Sequence, residues 1–171
     1  MKQNINRRAF LRSSALVGIS GIAATSSAAQ LFAPGTVSGE IQESATKSKL
    51  SFNKDGKFKI LQLTDTHYIS GNPKSERALE NVKQMLDLEK PDLVIHTGDV
   101  IFGKPAEPSV REILEPISAR KIPFAVAFGN HDEEFDKTRE EMLDIVMSIP
   151  YNINTRTKGV YGVTNCTLEL L

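Results

Sequence analysis

The sequence predicts an α/β domain with parallel core strands, and three observations predict it. Apolar runs of strand length alternate with stretches of helical periodicity, in the order strand, helix, strand, helix, strand, helix. Each of the three apolar runs stops at a short polar segment, and these polar ends recur about 30 residues apart, the length of one βαβ unit. The composition suits one such domain: 171 residues, 40% apolar and 25% charged, enough for a workable core.

The first residues stand outside that domain. A basic cluster of Arg7, Arg8 and Arg12 precedes a charge-free stretch rich in Ala, Ser, Gly, Leu and Ile, which closes on small residues around Ala28 and Ala29. That is the layout of a cleaved export signal over residues 1–29. Arg7-Arg8 followed by Ala9-Phe10-Leu11-Arg12 resembles the twin-arginine type, so a periplasmic or extracellular location in a bacterium is expected. The apolar part is too short and too diluted for the ~20 strongly apolar residues of a membrane span, so no stable membrane anchor is expected. Residues 30–48, with Pro34, Gly35, Gly39 and many Ser and Thr, read as a linker.

The domain reading runs over 49–171. Asp55-Gly56 between the alternating segments 50–54 and 57–63 predicts a hairpin, whose second arm carries Phe58, Ile60, Leu61 and Leu63 to Asp65. Ser75 is placed to cap a helix with Leu79, Val82, Met85 and Leu86 on one face, ended by Pro91. "LVIHTGD" is a short strand stopping at Asp99. Val110, Ile113, Leu114 and Ile117 mark a second helix, with Pro116 as a kink or break. "IPFAVAFGN" is a third strand, read as buried through Phe124, Val126 and Phe128. Thr138 and Glu141 have capping-box spacing for a last helix with Met142, Ile145 and Val146 inward. "GVYGVTNCTLELL" reads as a hairpin, with Cys166 a small apolar filler in a strand. As the single cysteine, it has no internal disulfide partner.

Charge narrows the partners. Twenty-one basic residues balance twenty-one acidic ones, leaving no net field for a polyanion or an anionic membrane surface, so nucleic acid is not an expected partner.

The three polar strand ends carry the chemistry. They read "TDTHY" (64–68), "TGDVI" (97–101) and "GNHDE" (129–133), and offer Asp65, His67, Asp99, Asn130 and His131. In a parallel sheet these ends share the carboxyl edge, where ligands bind. Carboxylate, imidazole and amide oxygen are donors that borderline-hard metal ions accept. Gly98 and Gly129 allow the tight backbone before each donor. Each fragment alone is an ordinary loop, turn or cap. The set of three, in this order and each ending an apolar strand, is what carries the inference.

That set resembles the signature of the calcineurin-like metallophosphoesterase superfamily, from about residue 58 to residue 135. The resemblance implies a layered fold, a mixed β-sheet core flanked by helices. This chain would hold the N-terminal βαβαβ part and end mid-domain. It implies hydrolysis of phosphoric esters, as a phosphatase or phosphodiesterase acting on a phosphorylated small molecule or other phosphoester. It further implies two divalent or trivalent ions of the Fe, Zn or Mn class, about 3.5–4 Å apart. Asp65 and His67 would bind the first, Asp99 would bridge both, and the side-chain oxygen of Asn130 would bind the second. A hydroxide held by the ions would attack phosphorus, and His131 would contact the phosphate or protonate the leaving group.

The run looks closest to phosphatases grouped near the purple acid phosphatases. Those enzymes have an iron-binding tyrosine where this chain has Phe102, which argues against an iron-tyrosinate centre. Nor is there an aspartate at that position to pair with His131, which leaves that part to Asp132 or a later residue. The family's downstream histidines are also missing, for the chain holds only His67, His96 and His131. His96, inside a strand, reads as a packed or supporting residue. The alternative from another class is a non-catalytic metal- or phosphate-binding half-domain.

Overall fold

The computed structural model describes residues 41–42, 49–159, 161–165 and 167–171, all within one compact unit, Val37–Leu171. The expected export segment, all of the linker except Ile41–Gln42, and Cys166 lie outside the described residues. The elements in chain order are β1 (Ile41–Gln42), β2 (Ile60–Leu63), α1 (Glu76–Glu89), β3 (Leu93–His96) and α2 (Ala106–Ala119). They continue with β4 (Phe124–Val126), a 3₁₀ turn (His131–Glu133), α3 (Arg139–Ser148) and β5 (Arg156–Thr157).

The expected alternation is observed, and the core strands are parallel. They lie in the order β2-β3-β4, with Leu61 opposite Val94 and Val94 opposite Phe124. Side chains alternate across the sheet, which sorts the core into two layers. Leu61, Val94, Phe124 and Val126 pack with Val82 and Leu86 of α1, Ile113 and Ile117 of α2, and Met142 and Val146 of α3. Leu93 and Ala125 lie in a second cluster with Leu50 and Ile153, against which Phe58, Ile95, Leu168 and Leu170 pack. A middle strand buried on both faces explains why "LVIH" reads as a continuous apolar run rather than an alternating one.

Several local expectations change. The Asp55-Gly56 turn forms, closed by Gly56 N–H to the Asn53 carbonyl at 2.9 Å, with the Asn53 side chain accepting from Asp55 and Lys57 at 2.9 Å each. Its arms do not zip into a hairpin. Leu50 instead bridges Leu170, and Phe52 N–H bonds the Leu171 carbonyl at 3.0 Å, while β2 pairs with β3. Burial decides this: Leu50 joins the second cluster, and Leu61 joins the helix-facing one.

In α1 the buried face is Val82 and Leu86, with Met85 left 39% exposed. Ser75 sits at the N-cap position without capping, because its Oγ accepts the Ile69 N–H at 3.1 Å. Pro116 does not break α2, which continues past it to Ala119. β4 stops at Val126, and Phe128 lies beyond it, partly buried against the core. The Thr138–Glu141 capping box is present, and Met142, Ile145 and Val146 are buried as expected.

The C-terminal stretch is a looped segment in place of a hairpin. Thr157 N–H bonds the Val163 carbonyl at 3.1 Å, and Arg156–Thr157 pairs antiparallel with Ile41–Gln42, which had read as linker. Two-residue strands are too short to register as a period. The edge of β4 is closed by asparagines: the buried Asn154 side chain accepts the Val126 N–H and donates to the Val126 carbonyl, both at 2.8 Å. No helix among the described residues is long and apolar enough to cross a membrane.

His96 shares the helix-facing side of β3 with Val94 and is 1% exposed. The Thr66 hydroxyl donates to the Val100 carbonyl at 2.8 Å, so its oxygen accepts from His96 Nε2 at 3.0 Å. Gly98 N–H points at His96 Nδ1 at 3.3 Å. The ring is satisfied as a neutral donor–acceptor, and burial lowers its pKa to about 4, against weaker opposing pulls from Asp65 and Asp99. The unfolded chain takes up this proton near 6.5, whereas the folded chain refuses it until about 4. The His96 contribution is therefore present above 6.5 and lost as pH falls through that window, by about 3 kcal/mol in all. Urea unfolding between these pH values should show that loss, and His96→Gln should flatten it.

Candidate metal centre

The site grows from three strand ends that do not stop where the ladder stops. Beyond β2 the chain stays parallel to the segment after β3: Asp65 N–H bonds the Gly98 carbonyl at 3.0 Å, His67 N–H the Asp99 carbonyl at 3.1 Å, and Tyr68 N–H the Val100 carbonyl at 3.0 Å. The path is not extended there. Asp65, His67 and Asp99 all adopt left-handed backbone, with φ of 54°, 45° and 53°. Such conformations cost about 1–3 kcal/mol each in non-glycine residues and persist only where the surroundings impose them. Three of the expected metal ligands are thus the strained residues.

The glycines impose part of that strain. Gly98 has φ of 115°, and a Cβ there would lie 2.7 Å from the Gly129 nitrogen; a Cβ on Gly129 would lie 2.6 Å from the Asp99 nitrogen. The second and third strand ends therefore touch backbone to backbone. Asp132 locks them together. It is 1% exposed, and its Oδ1 accepts the N–H groups of Val100 at 2.8 Å and Ile101 at 3.2 Å. Its Oδ2 accepts those of Asp99 at 3.1 Å and Gly129 at 2.8 Å. Burial pushes this carboxyl up from the ordinary range, and the four N–H donors oppose that. Arg139, opening α3, adds an outer brace by donating to the Gly129 carbonyl at 3.0 Å and to Glu133 at 2.7 Å.

These constraints bring His67, Asp99 and His131 together. One ligand atom from each lies within 4.8 Å of the others. His67 Nε2 is 3.5 Å from Asp99 Oδ2 and 3.8 Å from Asp65 Oδ1, so Asp65 borders the group through His67. Asp99 Oδ1 accepts the His131 backbone N–H at 3.1 Å, and that bond, with the neighbouring imidazoles, holds the Asp99 carboxyl below its usual range. Asn130 opens the 3₁₀ turn, exposed, and makes no cap bond with its side chain. His131 Nδ1 is 2.6 Å from Glu134 Oε2, which raises its pKa. His96 stays in the core and supports the loop through Gly98. Phe102 stands against the site, its ring 4.6 Å from that of His131 and 5.2 Å from that of His67.

One carboxylate, only 15% exposed, and two imidazoles form a donor group of the kind that holds a metal ion, with Asp65 beside it. The calcineurin-like phosphoesterase family model matches residues 58–166. The chain belongs to that family. Among its relatives is the phosphatase DCR2 of Saccharomyces cerevisiae, 38% identical over 61% of this chain and 21% of the relative. Another is the probable inactive purple acid phosphatase 29 of Arabidopsis thaliana, 34% identical over 67% of this chain and 34% of the relative. A probable cyclic nucleotide phosphodiesterase of Psychrobacter arcticus is 32% identical over 52% of this chain and 36% of its own length. This chain thus spans only about a fifth to a third of the first relatives it matches.

Within this phosphoesterase domain, sequence reasoning missed the clamp made by Asp132 and left the partner of His131 open between Asp132 and a later residue; the structure gives that place to Glu134. Both lie in an acidic run, Asp132-Glu133-Glu134, in which composition does not separate the buried clamp from its exposed neighbours. The useful cue was position. A carboxylate two residues after Asn130 can turn back onto the N–H groups that Gly129 exposes. Asp132→Ala orphans the buried N–H groups of Val100 and Ile101, at about 1–3 kcal/mol each, and the half-buried ones of Asp99 and Gly129, so it should destabilise the chain by at least about 2 kcal/mol in urea unfolding. Asp132→Asn keeps one acceptor oxygen and should lose less.

Proposed function

We propose that this phosphoesterase-family chain supplies the first part of a metal-dependent phosphoester-hydrolysing site. The observation that carries the reading is the convergence of His67, Asp99 and His131 at the ends of parallel strands on a strained, clamped backbone. In this reading Asp65, His67, Asp99 and Asn130 are the residues that would hold two ions, with the Asp99 carboxylate shared and the Asn130 side-chain oxygen serving the second. When bound, the ions supply Lewis acidity and a nucleophile at neutral pH. The residues supply the rest. Asp99 holds its place because one of its oxygens is already fixed by the His131 N–H. His131 contacts the phosphoryl group or gives a proton to the leaving oxygen. Phosphatase DCR2 and the probable cyclic nucleotide phosphodiesterase keep both mono- and diesters open as substrates.

A second reading has its own support. Several relatives are described as probable inactive purple acid phosphatases, and these 171 residues hold only three histidines. A complete shell for two ions needs donors beyond those gathered here. On that count we propose that residues 49–171 are the N-terminal part of the domain, and that this part alone binds metal without turning over substrate.

Activity separates the two readings. Residues 30–171 should bind divalent metal weakly and hydrolyse an aryl phosphate negligibly. A protein carrying the whole domain should hydrolyse it with added metal, and Asp99→Asn should reduce that rate by about 100-fold or more through loss of the bridge. A whole-domain protein that binds metal tightly and stays inert would favour the non-catalytic reading.

We also propose export, on the basic and apolar layout of residues 1–29 alone. In a bacterial host, mature protein should begin near residue 30 by N-terminal sequencing. Replacing Arg7 and Arg8 with Lys should block its export by the twin-arginine route.

A further inference from the structure

We propose that Glu134 is the positioning residue for His131, holding the neutral imidazole as its Nδ1–H tautomer and leaving Nε2 as the working nitrogen. The inference rests on the hydrolase reading for its purpose, but its geometry stands apart from it. His131 and Glu134 flank one short turn: Glu134 N–H bonds the His131 carbonyl at 3.3 Å, and the Glu134 carboxylate returns to His131 Nδ1 at 2.6 Å. The buried Asp132 between them anchors that turn. Phe102 packs edge-to-face on the imidazole at 4.6 Å. The ring is therefore held at one nitrogen and on one side.

An ionised carboxylate only accepts hydrogen bonds, so a neutral His131 must carry its proton on Nδ1. The consequence for chemistry is specific. A doubly protonated ring gives its Nε2 proton to the leaving oxygen as the ester bond breaks. The neutral form that remains keeps Nδ1–H, already bonded to Glu134, so no partner has to rearrange. His96 gives the opposite case in the same chain. Its Nε2 must donate to Thr66 and its Nδ1 must accept from Gly98.

The chain has three histidines, so nitrogen-15 spectra of the metal-free protein, labelled at histidine and held at alkaline pH, resolve each ring. His131 should show Nδ1 protonated, and His96 should show Nε2 protonated. Glu134→Ala should convert His131 to the Nε2–H form that free imidazole favours in water, whereas Glu134→Gln should preserve Nδ1–H through its amide oxygen. An unchanged His96 pattern reports that the variants are folded. In the whole-domain enzyme, Glu134→Ala should lower kcat about 10-fold or more with KM unchanged, and Glu134→Gln should recover part of the loss. An Nε2–H His131 in the unaltered chain, or the same tautomer with and without Glu134, overturns the proposal. Should the whole domain prove inert, the tautomer result still stands, which separates failure of this inference from failure of the hydrolase reading.

Discussion

The site depends on one buried carboxylate. Asp132 gathers four backbone N–H groups from two loops that are far apart in sequence, and in doing so sets the distance between the second and third strand ends. Those N–H groups lie past the ends of β3 and β4, where no neighbouring strand is left to accept from them. Left alone, each would cost a buried unsatisfied donor, and the loops would have to open to water. One side chain with two oxygens solves the problem for all four. It also brings Gly129 so close to Asp99 that neither Gly98 nor Gly129 has room for a Cβ. The Asp99 carboxylate then has its place between the His131 N–H and the His67 ring.

Strain and clamp explain each other. Left-handed backbone at Asp65, His67 and Asp99 is unfavourable by several kcal/mol together, and local sequence offers nothing to offset it. Its compensation is tertiary. The Asp65 and His67 N–H groups bond the carbonyls of Gly98 and Asp99, so the strained first segment is carried on the second, which Asp132 fixes to the third. Asp and His tolerate positive φ better than β-branched residues do, so the same residue types serve the donor chemistry and the backbone requirement.

Legibility followed the range of the interactions. The three parallel strands and three helices were readable because burial of one face or both leaves a period or an apolar run, as in "LVIH" and in Met142, Ile145 and Val146. The Thr138–Glu141 box was readable because both partners are local. The hairpin at Asp55-Gly56 misled because the turn is local, whereas the choice of strand partner belongs to Leu50 and Leu170, 120 residues apart by number. Asn154, as a substitute strand partner for Val126, leaves no pattern at all. In the site, the order of Asp65, His67, Asp99, Asn130 and His131 was legible as a motif. Asp132 and Glu134 were not, since a buried clamp, a histidine partner and the Arg139-bound Glu133 are three adjacent acids with three unlike fates.

The charge of the gathered residues limits what they can do alone. Asp65 and Asp99 bring two negative charges to the site, and Phe102, packed beside both the His67 and His131 rings, brings none. The nearby guanidinium of Arg139 is committed to Glu133 and to the Gly129 carbonyl. A phosphate ester arriving here meets like charge, at about 4 kcal/mol per pair of unit charges 4 Å apart near a protein surface. Cations must therefore offset the carboxylates before the ester can approach them. That order of events, ion before ester, belongs to the reading proposed above and follows from Coulomb's law acting on these side chains.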